Sequence, residues 1–256
     1  MTFPAPLRSL RMTIAYDGSG FAGWQRQPKQ RTVQGEIEQV LERITGEAVC
    51  AVASGRTDSG VHALGQVVGF VTHCQLAGEV FRKAINAELP EDITVFDVSP
   101  APEGFHAIRH AVRKRYRYVI EDSKSPDLFA RNYLWRMRKA LDVEAMHTAA
   151  QGLLGTHDFT SYETAGSSRL SPIRTVFEAT VERQPSEYTD RIFVEVEADG
   201  FLYNMVRNIV GSLVRVGRRQ RSITWPGEVL AACDRRASGM VAPAQGLYLL
   251  WVKYDA

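Results

Sequence analysis

The sequence predicts a mixed α/β (α+β) fold in two domains, on three observations. Short apolar runs bounded by turn residues recur along the whole chain and read as strands. Amphipathic stretches at helical spacing fall between them. A break at Pro100-Ala101-Pro102-Glu103-Gly104 separates two sets of similar make-up, and 256 residues are enough for two modest domains. The expected division is 1–104 and 105–256.

The first element is a strand over Leu7 to Tyr16 that stops at the turn pair Asp17-Gly18. A helix follows, with Val33, Ile37, Val40, Leu41 and Ile44 on one face. Val49 to Ala53 and Gln66 to Thr72 read as short buried strands flanking a polar loop, Ser54 to Gly60. Glu79 to Leu89 is helical up to Pro90, and Ile93 to Val98 is a further strand. Beyond the break, strands are expected at Tyr116 to Ile120 and around Tyr133 to Met137. A helix capped by Asp142 should end near Gly155. Val176 to Glu182 and Ile192 to Ala198 alternate apolar and polar residues as a half-buried hairpin does, with Pro185, Ser186 and Asp190 at the turn. A helix over Phe201 to Val216, a short one near Trp225 to Cys233, and a strand over Leu247 to Val252 close the chain.

Composition narrows the function classes. With 45% hydrophobic and 23% charged residues the chain is globular rather than disordered. Its apolar runs, such as Val67-Val68-Gly69-Phe70-Val71, fall far short of the roughly 20 residues of a membrane span. Met1 to Leu10 holds two prolines and no secretory apolar segment, so a cytoplasmic location is expected. Cys50, Cys74 and Cys233 are odd in number and far apart, which favours reduced thiols and argues against a disulfide framework or a zinc cluster. His62, His106, His73 and Cys74 lack the short spacing of a metal site, so no metal is expected. A net charge of +2 conceals clusters: Arg109, Arg113, Lys114, Arg115 and Arg117; Arg215, Arg218, Arg219 and Arg221; and Arg26, Lys29 and Arg31. Aromatics Tyr116 and Tyr118 interleave with the first cluster, a combination that suits a polyanion such as RNA.

Two motifs bear on chemistry. Gly18-Ser19-Gly20-Phe21-Ala22-Gly23 matches G-x-G-x-x-G after a strand, yet Trp24 to Gln30, with Pro28 among them, separates it from the next helix. A pyrophosphate-binding turn opens directly into its helix, so a dinucleotide enzyme is disfavoured. In the polar loop, Asp58 is either an ordinary turn aspartate or a functional carboxylate. If the segment is extended, Arg56 projects to the same side, where a guanidinium would keep the carboxylate ionised and aimed. A structural ion pair would look the same.

The run Ser54-Gly55-Arg56-Thr57-Asp58-Ser59-Gly60-Val61-His62-Ala63 closely resembles the G-R-T-D-x-G-V-H-A signature of the tRNA pseudouridine synthase A (TruA) family. Further pieces appear in the family's order: Tyr16-Asp17-Gly18, Phe21 to Gln27, Phe105-His106-Ala107, Arg115 to Tyr118, Phe201 to Gly211 and Gly246 to Leu249. The resemblance implies two α/β domains, each an antiparallel sheet with packed helices, with the active-site cleft between them, in a homodimer. It implies isomerisation of uridines 38, 39 and 40 of the tRNA anticodon stem-loop to pseudouridine, without a cofactor. By that similarity Asp58 is the catalytic nucleophile, Arg56 its ion-pair partner and Tyr116 the tyrosine stacked on the target base. Leu247 is a pocket wall and Arg207 the arginine of the C-terminal helix. His62, His106, Gln25 and Arg26 join the substrate-binding set. The carboxylate could attack C6 of the base or C1′ of the ribose, or act as a base at C2′. One departure stands out. The family continues Phe-His-Ala with Arg, whereas here Ile108 stands in that place and Arg109 follows. On an extended segment that shift would turn the side chain to the opposite face.

Overall fold

Alternation along β1 (Arg8–Tyr16) sends Leu10, Met12, Ile14 and Tyr16 to one buried face, as a half-buried strand requires. The computed structural model describes residues 5–164, 166, 171–185 and 189–255. Its content is mixed α/β, and the chain divides into two compact units, Met1–Val112 with Leu249–Ala256, and Arg113–Tyr248.

In the first unit β1 is followed by α1 (Val33–Thr45), β2 (Val52–Ala53), β3 (His62–Thr72), α2 (Gly78–Glu88) and β4 (Ile93–Pro100). The Thr32 side chain accepts from Gly35 N to start α1, and Gly46 in the left-handed region ends it. Its buried face is Val33, Ile37, Val40 and Leu41, four of the five residues the helical spacing nominates. Strand β1 lies antiparallel to both β3 and β4, with Met12 opposite Val68 on one side and Val98 on the other. A register shift beside Ile14 is held by Asn86 of α2, whose amide bonds Val95 N and Val95 O at 2.8 Å each. Helix α2 buries Phe81 and Ile85, and Phe81 meets Phe70 edge-on at 5.9 Å.

Two strands here differ from the sequence expectation. Strand β2 is only Val52–Ala53, because Ala51 N donates instead to Glu38 Oε1 of α1 (3.1 Å). Strand β3 begins at His62 rather than Gln66, and its polar and glycine positions hid that extension.

The second unit contains β5 (Ala111–Glu121), β6 (Trp135–Arg136), α3 (Val143–Gln151), β7 (Gly155–Asp158), β8 (Ile173–Gln184), β9 (Arg191–Ala198), α4 (Met205–Gly217) and α5 (Trp225–Ala231). Strand order is β5-β9-β8-β7, with Tyr116 opposite Val196 and Tyr118 opposite Val194. Asp142 caps α3 as expected, accepting from Ala145 N. The hairpin β8–β9 forms, while its turn residue Ser186 lies outside the described residues. Strand β7 has no apolar residue to announce it. Helix α4 starts at Met205 rather than Phe201, since Asn204 has φ 61°, outside the right-handed helix. Phe201 and Leu202 are buried ahead of it without being helical. The final strand, β10 (Leu247–Tyr254), lies next to β3, so the first unit's order is β4-β1-β3-β10. No helix among the described residues is long and apolar enough to cross a membrane.

Removing the ring of fully buried Phe81 should cost about 3–5 kcal/mol. Urea denaturation of Phe81→Ala checks this through its midpoint at unchanged slope. Acid stability should depend on Asp122. Burial raises its pKa, but two bonds from Arg183 (2.6 and 2.7 Å) and one from Leu141 N (2.8 Å) outweigh that and hold it below the usual value. A depressed carboxyl stabilises fully above its unfolded value, ~3.9, and loses that contribution as pH falls through the folded value. Asp122→Asn should therefore flatten the acid limb of the stability curve, measured as urea midpoint against pH.

Candidate active site

The Asp58 loop joins β2 to β3, and a chain of buried polar groups supports it from below. Ser54 Oγ donates to Gln66 Oε1 (2.6 Å), Gln66 Nε2 donates to Gly55 O (2.9 Å), and the Tyr16 hydroxyl bonds Thr57 Oγ1 (2.8 Å). Burial pushes the Tyr16 hydroxyl up to about 12, so it stays protonated and able to bond at neutral pH. From above, Trp24 N donates to Thr57 O (2.9 Å) and Ser59 Oγ to Phe21 O (3.0 Å). Within the loop Val61 N donates to Asp58 O (3.1 Å). Asp58 itself is half-buried at the loop's crest, while Thr57 beside it is buried.

The glycine pattern finds its reason here. A Cβ on Gly18 would lie 2.1 Å from Val61 O, and one on Gly23, which has φ +92°, would lie 2.8 Å from Thr57 O. These glycines let one backbone rest directly on the loop that carries Asp58. Helix α1 begins only at Val33, with Val33 N and Gln34 N donating to Gly23 O and Trp24 O, so the pattern opens no helix.

His62 is buried, and its Nδ1 accepts from Gly18 N (3.1 Å) with Asp17 Oδ1 also 3.1 Å away. A nitrogen accepting from Gly18 cannot donate to Asp17, so the Asp17 contact becomes an ion pair only on protonation of the ring. Gln25 and Arg26 follow Trp24 directly and are exposed. Arg26 pairs with Glu38 at 3.3 Å with its side chain still 72% exposed, and it lines an open pocket of about 480 Å³ with Lys29, Arg31 and Gln39. Arg56 is exposed, two residues before Asp58 in the same loop.

His106 starts a turn. His110 N donates to His106 O (3.1 Å), Ile108 N donates to His106 Nδ1 (3.2 Å), and Phe105 stacks obliquely on Tyr254 of β10. Since the segment turns rather than extends, the face-to-face alternation that would separate Ile108 from Arg109 does not apply. Both side chains are exposed.

In the second unit Tyr116 projects from β5, nearly buried, with its ring edge-on to Phe201 at 5.0 Å. Leu247, buried, opens β10, and the Tyr118 hydroxyl donates to Pro243 O (2.7 Å) in the segment leading to it. Arg207, on α4, is half-buried and donates from Nε to Ala242 O (2.7 Å) and from Nη1 to Asn204 Oδ1 (2.8 Å). The left-handed Asn204 thus both delays the helix and steadies the arginine.

One expectation needs correction. The block Arg113, Arg115 and Arg117, read as a surface for a polyanion, faces protein carboxylates on β9 and β8. Arg113 pairs with Glu197 (3.0 Å), Arg115 with Glu197 (2.6 Å), Glu195 (3.1 Å) and Glu178, and Arg117 with Glu195. The register that sets Arg115 opposite Glu197 and Arg117 opposite Glu195 builds this ladder. Among the described residues no group of three or more His, Cys, Asp or Glu is placed to hold a metal.

A family model described as tRNA pseudouridine synthase matches residues 12–109 and 149–255. Proteins named tRNA pseudouridine synthase A from Geobacillus sp. (strain WCH70) and Moorella thermoacetica are 44% and 45% identical over 97% and 96% of this chain and 99% of their own length. One of the same name from Brevibacillus brevis is 44% identical over 97% of the chain and all of its own length. The chain belongs to the tRNA pseudouridine synthase family. Asp58 and its supports fall in the first matched stretch and Arg207 and Leu247 in the second, while Tyr116 lies between the two.

For a synthase of this family the unforeseen residues are Tyr16, Ser54, Thr57 and Gln66. Gln66 within the apolar run of β3 was the available signal, since a buried amide needs partners. Gly23→Ala should displace the loop, and because a shift of about 1 Å can cost 10²-fold, turnover should fall by about that factor with circular dichroism unchanged. Wild-type turnover would show that Asp58 does not depend on this approach.

Proposed function

We propose that this chain converts uridines 38, 39 and 40 of the tRNA anticodon stem-loop to pseudouridine, with Asp58 as the nucleophile. The observation that carries the reading is the Asp58 loop: a half-buried carboxylate at the crest of a segment tied on both sides by backbone and buried side-chain bonds. Such rigidity lets a reacting group be aimed before substrate arrives. Family membership makes the enzyme an isomerase of tRNA, and it supports the residue roles without fixing them.

The reaction cleaves the bond from N1 to C1′, turns the base, joins C5 to C1′ and releases the C5 proton, while N1 regains a proton. Atoms and electrons balance without a cofactor or metal. A base within a stem must first leave the stack, at a cost of a few kcal/mol. Stacking on Tyr116 would return about 1–3 kcal/mol of that. Leu247 gives the base an apolar wall, and Arg207 and His106 hold the flanking backbone. His62 keeps the loop shaped through Gly18.

Arg56 and Arg26 act on phosphate or, for Arg56, on the Asp58 carboxylate once RNA is bound. Glu38 is buried and also accepts from Gln34 Nε2 (2.8 Å) and Ala51 N (3.1 Å), so the largely exposed Arg26 side chain can turn to a phosphate without leaving that carboxylate unbonded. Gln25 beside it offers an amide to the ribose or backbone. We place the enzyme in the cytoplasm with its tRNA substrate, and as a homodimer on the family resemblance alone.

Release of tritium from C5-labelled uridine in an unmodified tRNA transcript tests the reading. Asp58→Asn should keep tRNA affinity and stop release, and wild-type release by that variant would remove Asp58 from the mechanism. Tyr116→Phe should bind normally, because the ring still stacks, and should turn over more slowly if the hydroxyl takes the C5 proton. Binding without release by the wild type would leave a silent RNA-binding protein instead.

A further inference from the structure

The segment after β5 ends in an apolar apex that neither the core nor the candidate active site uses. Phe129 is 90% exposed and Leu128 beside it 65%. Single exposed apolar residues are ordinary; what marks this pair is that the loop is built to hold it out. Asp127 Oδ1 accepts from Phe129 N (3.0 Å) and Ala130 N (3.2 Å), and Asp127 Oδ2 pairs with Arg191 (2.9 Å). Asp127 N donates to Glu121 Oε1 (2.9 Å), and Arg131 Nη1 donates to Leu128 O (2.7 Å). Below the apex Ala130 and Leu134 are buried with Val119, and Phe193 and Tyr248 pack against them. The Tyr248 hydroxyl donates to Tyr133 O (2.7 Å). An aromatic ring offered on so restrained a loop loses little further freedom on binding.

The surrounding charge indicates what it binds. From Ser123 to Lys139 the cations Lys124, Arg131, Arg136, Arg138 and Lys139 are all exposed, and the single carboxylate, Asp127, is engaged by Arg191. A second copy presenting the same basic apex would be repelled, whereas a polyanion is attracted. Unpaired RNA bases stack on exposed aromatic side chains while neighbouring cations take the phosphates.

We propose that the Leu128–Phe129 apex is a second tRNA contact, with Phe129 stacked on an unpaired base and the flanking cations on adjacent phosphates. Glu121, at the root of the loop, lies five residues along β5 from Tyr116, on the order of 17 Å at strand rise. The contact therefore adds affinity away from the target nucleotide and takes no part in bond making. It rests on tRNA as substrate, not on the identity of the modified positions.

The test measures the tRNA dissociation constant and steady-state tritium release for wild type, Phe129→Ala and Phe129→Trp. Phe129→Ala should weaken binding by about 5- to 150-fold and raise KM in step, with kcat at saturating tRNA unchanged. Phe129→Trp should restore affinity. Unchanged affinity in Phe129→Ala overturns the proposal, as does a fall in kcat at constant KM. Sedimentation of the RNA-free protein is the third arm, and a loss of self-association in Phe129→Ala would make the apex a subunit interface instead. If the wild type binds tRNA but releases no tritium, the catalytic reading fails while the affinity comparison still decides the role of Phe129.

Discussion

Backbone rests on backbone where the segment from Gly18 to Trp24 meets the Asp58 loop, and much of the first unit follows from that approach. The chain can come so near only where no Cβ intervenes, as at Gly18 against Val61 and Gly23 against Thr57. Once it does, Trp24 N reaches Thr57 O, and the carbonyls of Gly23 and Trp24 turn to the first N–H groups of α1. One loop thus caps a helix and clamps another loop, so α1, β1 and the Asp58 crest form one rigid neighbourhood. The buried hydroxyls and amide of Tyr16, Ser54, Thr57 and Gln66 complete it. Each would cost about 1–3 kcal/mol if left unpaired, which makes alternative loop positions unfavourable.

Strand β5 shows how a period of two can serve two ends. Its odd residues Arg113, Arg115 and Arg117 meet Glu195 and Glu197 in a cross-strand ladder, and its even residues Tyr116 and Tyr118 turn inward. Exposed pairs are individually weak, but Arg115 shared among three carboxylates is a network, which orients the strand and hence Tyr116. With those arginines engaged, the exposed cations lie elsewhere, among them Arg26 and Lys29 at the pocket and those around Phe129.

The limits of sequence reading have physical causes that can be named. Asp58 stood out through its flanking signature, but physical chemistry alone left it poised between turn residue and nucleophile, because both uses favour the same neighbours. The Ile108 argument assumed an extended segment; there the backbone turns, and side-chain direction changes with it. The start of α4 was misjudged because an apolar stripe reports burial, and Phe201 and Leu202 are buried whether or not they are helical.

Apolar periodicity and turn chemistry determined the mixed α/β class, most of the strands and helices, the Asp142 helix start and the hairpin β8–β9. These depend on residues near one another in the chain, so their pattern is local. The family signature likewise named Asp58 and its companions. Only the tertiary structure decided that the glycine pattern is a seat for the Asp58 loop, that β10 returns to lie beside β3, and that the arginines of β5 are matched by glutamates of β9. Those outcomes join residues tens of positions apart, and which long-range partner a charge, a glycine or an edge finds is set by packing and register rather than by its neighbours in sequence.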